Sequence, residues 1–109
     1  MGGCSMLVVI FEVEMNPGRD QDYFQLASDL RPELEAIDGF ISVERFHSVS
    51  TEAKYVSVSF WRDEQAVKAW REHAEHRLAQ AQGKRGIFAD FRIRVAEVVR
   101  DYALADSRT

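Results

Sequence analysis

The amino-acid sequence predicts an α+β domain of βαββαβ order: a four-stranded antiparallel sheet with two helices on one face. Three observations predict it. Four stretches alternate apolar and polar residues with period two. Two longer stretches repeat apolar residues at steps of three and four, as one face of a helix does. Short segments rich in Gly, Pro, Asn, Asp or Ser separate them.

Residues 6–15 (MLVVIFEVEM) form the first strand. Leu7, Val9, Phe11, Val13 and Met15 share one face; Val8, Ile10, Glu12 and Glu14 share the other. Asn16-Pro17-Gly18 ends it as a turn. Residues 19–37 read as a helix with Tyr23, Ala27, Leu30, Leu34 and Ile37 in its apolar stripe and Phe24 widening it. Pro32 falls inside that pattern, so a kink or break is expected near Arg31. Gly39 suits a left-handed helix cap.

Residues 40–48 and 54–61 alternate and read as a hairpin across a polar turn. In the second of these, Val56, Val58 and Phe60 oppose Tyr55, Ser57, Ser59 and Trp61. Asp63 is a helix N-cap candidate. Residues 64–81 follow as a helix with Val67, Trp70, Ala74, Leu78 and Ala81 as its stripe. Gly83-Lys84-Arg85-Gly86 reads as a basic loop, and residues 87–100 as the last strand. There, Phe91, Ile93 and Val95 oppose Arg92 and Arg94.

This order is the ferredoxin-like arrangement. The sheet face away from the helices carries apolar residues (Val8, Ile10, Val56 or Tyr55, and Trp61), so it is expected to be covered. Two such sheets packed together would cover it, which predicts a homodimer.

A chain of 109 residues makes one domain with a sufficient core. Its formal net charge of -4 comes from interspersed acids and bases. With no basic stripe to follow a phosphate backbone, nucleic acid is not expected as a partner. Cys4 is the single cysteine, so no intrachain disulfide can form, which suits a reducing compartment. Residues 1–5 read as a disordered start or a tag remnant, residues 6–102 as the domain, and residues 103–109 as a flexible tail. The longest apolar stretch, residues 6–11, is too short to span a bilayer. No secretory or lipidation pattern opens the chain. A cytoplasmic protein with no membrane partner is expected.

Short landmarks in order then carry a family resemblance: Pro17-Gly18, Asp38-Gly39-Phe40, Phe60-Trp61-Arg62-Asp63-Glu64, Ala69-Trp70, Glu75-His76-Arg77, Ala79-Gln80, Gly83 and Arg94-Val95-Ala96. Across about residues 7–102 the chain resembles the antibiotic biosynthesis monooxygenase (ABM) domain family, in its small stand-alone bacterial branch. The resemblance implies a dimeric α+β barrel with a cavity between sheet and helices. It implies an oxidoreductase of the kind that oxygenates polycyclic aromatic or quinol-like compounds without a cofactor. Family members also include heme-degrading enzymes, whose pattern is an Asn in strand one, a Trp in helix two and a heme-ligating His ten residues after the Trp. Only Trp70 matches, because Phe11 and Gln80 occupy the other two positions.

Candidate catalytic residues are Trp70, His73 and His76, which three-residue spacing gathers into one patch. Trp70 would wall a cavity, and His76 would be the base for an acidic phenol or enol, with His73 supporting. His73 and His76 lie in an HAEH run, short of the three or four ligands of a zinc site, so no metal is expected. Candidate substrate-binding residues are Tyr23, Arg45, His47, Phe60 and Phe91. The aromatic members would suit a flat apolar ligand, or equally a filled core, and Arg45 with His47 would suit an anionic group. Two other functions stay open: a non-enzymatic dimer that binds a small apolar ligand, and a heme-binding protein in which His76 or His73 replaces the usual ligand.

Overall fold

The structure, a computed structural model, describes residues 6–107, with side chains for all of these except residues 81–85, 106 and 107. The expectation for residues 1–5 lies outside the described residues, as do the last two positions of the expected tail. The elements are β1 (Leu7–Met15), α1 (Asp20–Glu35), β2 (Phe40–His47), β3 (Lys54–Trp61), α2 (Glu64–Arg85), β4 (Phe88–Glu97) and a short α3 (Leu104–Ser107). The sheet order is β2-β3-β1-β4 with every neighbouring pair antiparallel. This is the ferredoxin-like layout.

Local chemistry accounts for the connections. Pro17 and Gly18 take the two central positions of a tight turn, with Gly18 at φ 77° and the Arg19 N–H donating to the Asn16 carbonyl at 3.1 Å. Asp63 caps α2 as expected: its Oδ1 accepts from the Ala66 N–H at 2.9 Å. That bond, followed by the Arg62 guanidinium, holds the Asp63 carboxyl below its usual pKa.

Three local expectations differ from what forms. Helix α1 continues through Pro32 with no break, and its C-cap is Ala36. Three turns already formed ahead of Pro32, and the packing of Leu34 beyond it, hold the last turn in place. Gly39 does adopt positive φ, 98°, but three residues past that cap, at the entry to β2. Helix α2 runs on through the expected basic loop to Arg85, and Gly86 at φ 59° ends it. One interior glycine costs a helix only about 1 kcal/mol, so Gly83 does not stop it. At the C-terminus, Leu104–Ser107 form the short α3.

Strand register sorts the side chains into two faces. On the helix side, Leu7 pairs with Trp61, Val9 with Ser59, Phe11 with Ser57 and Val13 with Tyr55. On the outer side, Val8 pairs with Phe60, Ile10 with Val58 and Glu12 with Val56. Trp61 therefore does not belong to the outer face. It is fully buried beneath the helices, with its indole N–H donating to Ser59 Oγ at 2.9 Å and Phe40 edge-on at 5.4 Å. Tyr55 shares that inner face. The apolar outer face is instead Val8, Ile10, Val56, Val58 and Phe60, with Phe46 half exposed beside Val56.

Two clusters make up the core. One joins Leu7, Val9, Leu34, Trp61, Ala66, Val67, Trp70 and Ala74. The other joins Val13, Met15, Tyr23, Leu78, Ile87 and Phe88.

Candidate functional site

A cavity of about 370 Å³ lies where these two clusters fail to meet. Leu30 and Leu34 come from the first cluster and its fringe; Tyr23, Leu78, Phe11 and Leu26 come from the second. The gap follows from side-chain size. The helix-facing row of β3 reads Tyr55, Ser57, Ser59, Trp61, large at its ends and small in its middle. Ser59 is covered by the Trp61 indole, whereas Ser57 is on the cavity wall. Ala27 is the smallest member of the α1 stripe and also lines the space. A serine and an alanine cannot fill the distance between a sheet and a helix, so a void persists in an otherwise close-packed interior.

The walls are mostly apolar, but their polar members are unevenly matched. Arg31 and Glu35 neutralise one another at 2.9 Å. Glu44 lies in the outer register row opposite Val58, so strand alternation directs its carboxylate away from the helices. Arg45 lies in the inner row opposite Ser57. Its guanidinium carbon rests 5.8 Å from the ring centres of both Tyr23 and Phe24, in range for cation–π attraction. Among the described residues no carboxylate pairs with it. Tyr23 is 3% exposed, and burial pushes its phenol up to about 12, opposed by Arg45. The hydroxyl therefore stays protonated at neutral pH and acts as a donor, not a base. Among the described residues it has no hydrogen-bond partner.

Pro32 adds one more feature to this wall. It lacks an N–H, so the carbonyl of Ser28 has no partner from the helical ladder; both residues border the cavity.

The sequence-predicted residues divide sharply. Tyr23 and Arg45 line the cavity. Trp70 is buried in the first core cluster, 6.4 Å from Trp61 ring to ring, and is not on the wall. His73 is exposed, and its Nε2–H donates to the Glu33 carboxylate on α1. Arg77 approaches the same carboxylate at 3.5 Å, so the two helices are tied at their surface seam. His76 is exposed on α2. The three-residue steps turn progressively off the buried stripe, which runs instead through Ala66, Val67, Trp70, Ala74 and Leu78.

The remaining candidates lie elsewhere. His47 shares the Arg45 face but lies at the sheet's end, stacked 4.5 Å from Tyr55, its Nε2–H donating to the Glu52 carbonyl at 2.6 Å. The Tyr55 hydroxyl donates to Asp20 at 3.0 Å. Phe60 is on the outer face, separated from the cavity by the sheet, because a period-two strand sends it opposite to Ser57 and Ser59. Phe91 is half exposed on β4 and edges against Phe11 and Phe88. The sequence reading passed over Ala27, Ser57 and Leu26 as site residues. The small size of Ala27 and Ser57 was the available signal. Among the described residues, no group of three or more potential metal ligands comes together.

Comparison with known proteins places this geometry. The family model for "Antibiotic biosynthesis monooxygenase" matches residues 6–82. "Jasmonate monooxygenase ABM" of Pyricularia oryzae is 43% identical over 93 residues, covering 85% of this chain and 43% of the relative. The uncharacterised protein YqjZ of Bacillus subtilis is 32% identical over 62 residues, covering 57% of this chain and 53% of the relative. The chain thus spans about half the length of these curated relatives. Among solved structures, Rv0793 from Mycobacterium tuberculosis superposes with a TM-score of 0.74 at 16% identity, covering 91% of this chain and 100% of that one. PA3566 from Pseudomonas aeruginosa gives 0.72 at 17%, covering 88% and 96%. At these identities the likeness is one of fold. No helix among the described residues is long and apolar enough to cross a membrane. The sequence match across most of the domain shows that the chain belongs to the antibiotic biosynthesis monooxygenase family.

Proposed function

We propose that this protein is a cofactor-independent monooxygenase that takes a small aromatic or quinol-like compound into the cavity between α1 and the sheet. The carrying observation is the cavity itself: about 370 Å³, within the range of small-ligand sites, with mainly apolar walls, in a chain of this family. The Pyricularia relative, named for jasmonate, is also named for oxygenation of a small molecule.

The chemistry asks little of the protein beyond holding an acidic substrate away from water. Loss of a proton from an activated CH₂ leaves a carbanion, which passes one electron to O₂. The radical pair joins as a hydroperoxide, and loss of water leaves a carbonyl. One oxygen atom ends in the product and the other in water with the two CH₂ hydrogens, so no external reductant is consumed. The histidines lie off the wall, which favours substrates whose own phenol or enol is acidic enough to ionise near neutral pH. Oxygen uptake with a panel of anthrones and hydroquinones, without added flavin or metal, tests the reading. Uptake dependent on protein is expected; none across the panel overturns it.

The off-wall histidines also favour a second reading, a non-enzymatic dimer that binds a small apolar ligand. Ligand binding without turnover, unchanged on replacing Trp70, His73 or His76 singly by Ala, would select it. In either case we propose a homodimer through the outer face of Val8, Ile10, Val56, Val58 and Phe60. Sedimentation should give about twice the 12.5 kDa chain mass; a monomer at micromolar concentration would contradict the dimer.

A further inference from the structure

We infer that Arg45, with the Tyr23 hydroxyl beside it, is an anion anchor that selects cavity ligands carrying one negatively charged oxygen group, a carboxylate or an enolate, on an apolar body. The inference rests on reading the cavity as the ligand site and deepens it by naming the ligand's charge.

Arg45 brings unmatched donors to the cavity wall. Every other charged group on the wall is accounted for. Arg31 and Glu35 pair with each other, and Glu44 sits in the outward register row. Arg45 is the one wall cation left without a carboxylate among the described residues. Several other arginines pair with acids, Arg19 with Asp22, Arg71 with Glu75 and Arg94 with Glu12, whereas Arg92 and Arg100, which lie away from the cavity, pair with none among the described residues. Acidic side chains outnumber basic ones, 18 to 14, so an unpaired arginine is not forced by a shortage of partners.

Its setting is also organised. The guanidinium lies equally far, 5.8 Å, from the Tyr23 and Phe24 rings. Such contacts use the guanidinium's charge and leave its N–H edges free. Those edges present the fork that matches a two-oxygen anion. The protonated Tyr23 hydroxyl supplies a further donor on the same wall. Most of the remaining lining is apolar, with Phe11, Leu26, Leu30 and Leu34 among it. A ligand with one charged end and a greasy remainder meets both requirements. A neutral hydrocarbon would leave these donors facing nothing, and a dianion would place charge against leucine.

Calorimetric titration of the full chain with 2-naphthoate and its neutral counterpart 2-naphthamide tests this. Wild type should bind naphthoate at least about tenfold more tightly, the scale of one charge-assisted hydrogen bond. Arg45→Met should remove that preference, lowering naphthoate affinity by more than naphthamide affinity, and Tyr23→Phe should reduce it partly. Arg45→Lys should recover only part, because an ammonium keeps the charge but loses the fork. If both ligands bind wild type equally, or the preference survives in Arg45→Met, the anchor is wrong while the cavity reading stands. If neither ligand binds, the cavity reading fails and the anchor falls with it.

Discussion

Replacing Gly39 by Ala should destabilise the protein severely, for a reason the geometry separates into two parts. Gly39 sits at φ 98°, and a Cβ built there would lie 2.6 Å from the Ala66 Cβ and 3.5 Å from the Arg62 Cβ. The first part is backbone strain, about 1–2 kcal/mol for an L-residue held at positive φ. The second is overpacking against the first turn of α2, about 1–3 kcal/mol. Alanine recovers about 0.4–1 kcal/mol by stiffening the unfolded chain. The net loss is about 1–5 kcal/mol. The neighbourhood cannot yield easily, because the Arg62 N–H donates to the Gly39 carbonyl at 2.8 Å and Asp63 caps Ala66. Urea unfolding at fixed protein concentration, followed by circular dichroism, would read this as a fall in midpoint of about 1–3 M without a change in slope. A second substitution, Ala66→Gly, removes the methyl that collides but not the φ strain. The double mutant should therefore show a favourable coupling of about 1–3 kcal/mol over the sum of the singles. A Gly39→Ala loss under about 0.5 kcal/mol, or no coupling with Ala66→Gly, would refute the packing argument.

Three other outcomes are expected. The buried Tyr23 phenol, raised from 10 to about 12 in the fold, contributes stability that is whole below pH 10 and is lost as pH rises toward 12. Tyr23→Phe should remove up to about 3 kcal/mol of that alkaline dependence, measured as the difference between the two proteins' urea midpoints across pH 9–12; identical profiles would contradict it. Ala27→Leu should fill the cavity, raising stability by up to about 2 kcal/mol from three added carbons while abolishing naphthoate binding; retained binding would place the ligand elsewhere. Glu33→Gln should loosen the seam that His73 and Arg77 make between α1 and α2. Because these groups are partly exposed, the loss should be under about 1 kcal/mol and should shrink in high salt; a larger, salt-independent loss would mean a different role.

What could be read from the sequence was whatever depends on near neighbours along the chain. The alternation of residues 54–61 matches β3 to the residue, and the Asn16-Pro17-Gly18 turn and the Asp63 cap formed as expected, since each is decided within a few positions. Local rules also misled where distant packing intervened. Leu34, held in the core, keeps α1 helical beyond Pro32. The burial of Trp61 was concealed because alternation says which residues share a face, not which face the helices will cover.

Site residues show the same division. Trp70, His73 and His76 share a helical neighbourhood, and chemistry made them candidates. Yet His73 finds its partner Glu33 at a separation of 40 residues, and none of the three lines the cavity. Sequence alone determined the family, the βαββαβ order and the amphipathic faces, because these follow from residue types at short spacing. Only the tertiary structure decided where the cavity lies and which cation faces it. That space exists because Ala27 on one element and Ser57 on another, 30 positions apart, fail to fill the layer between α1 and the sheet.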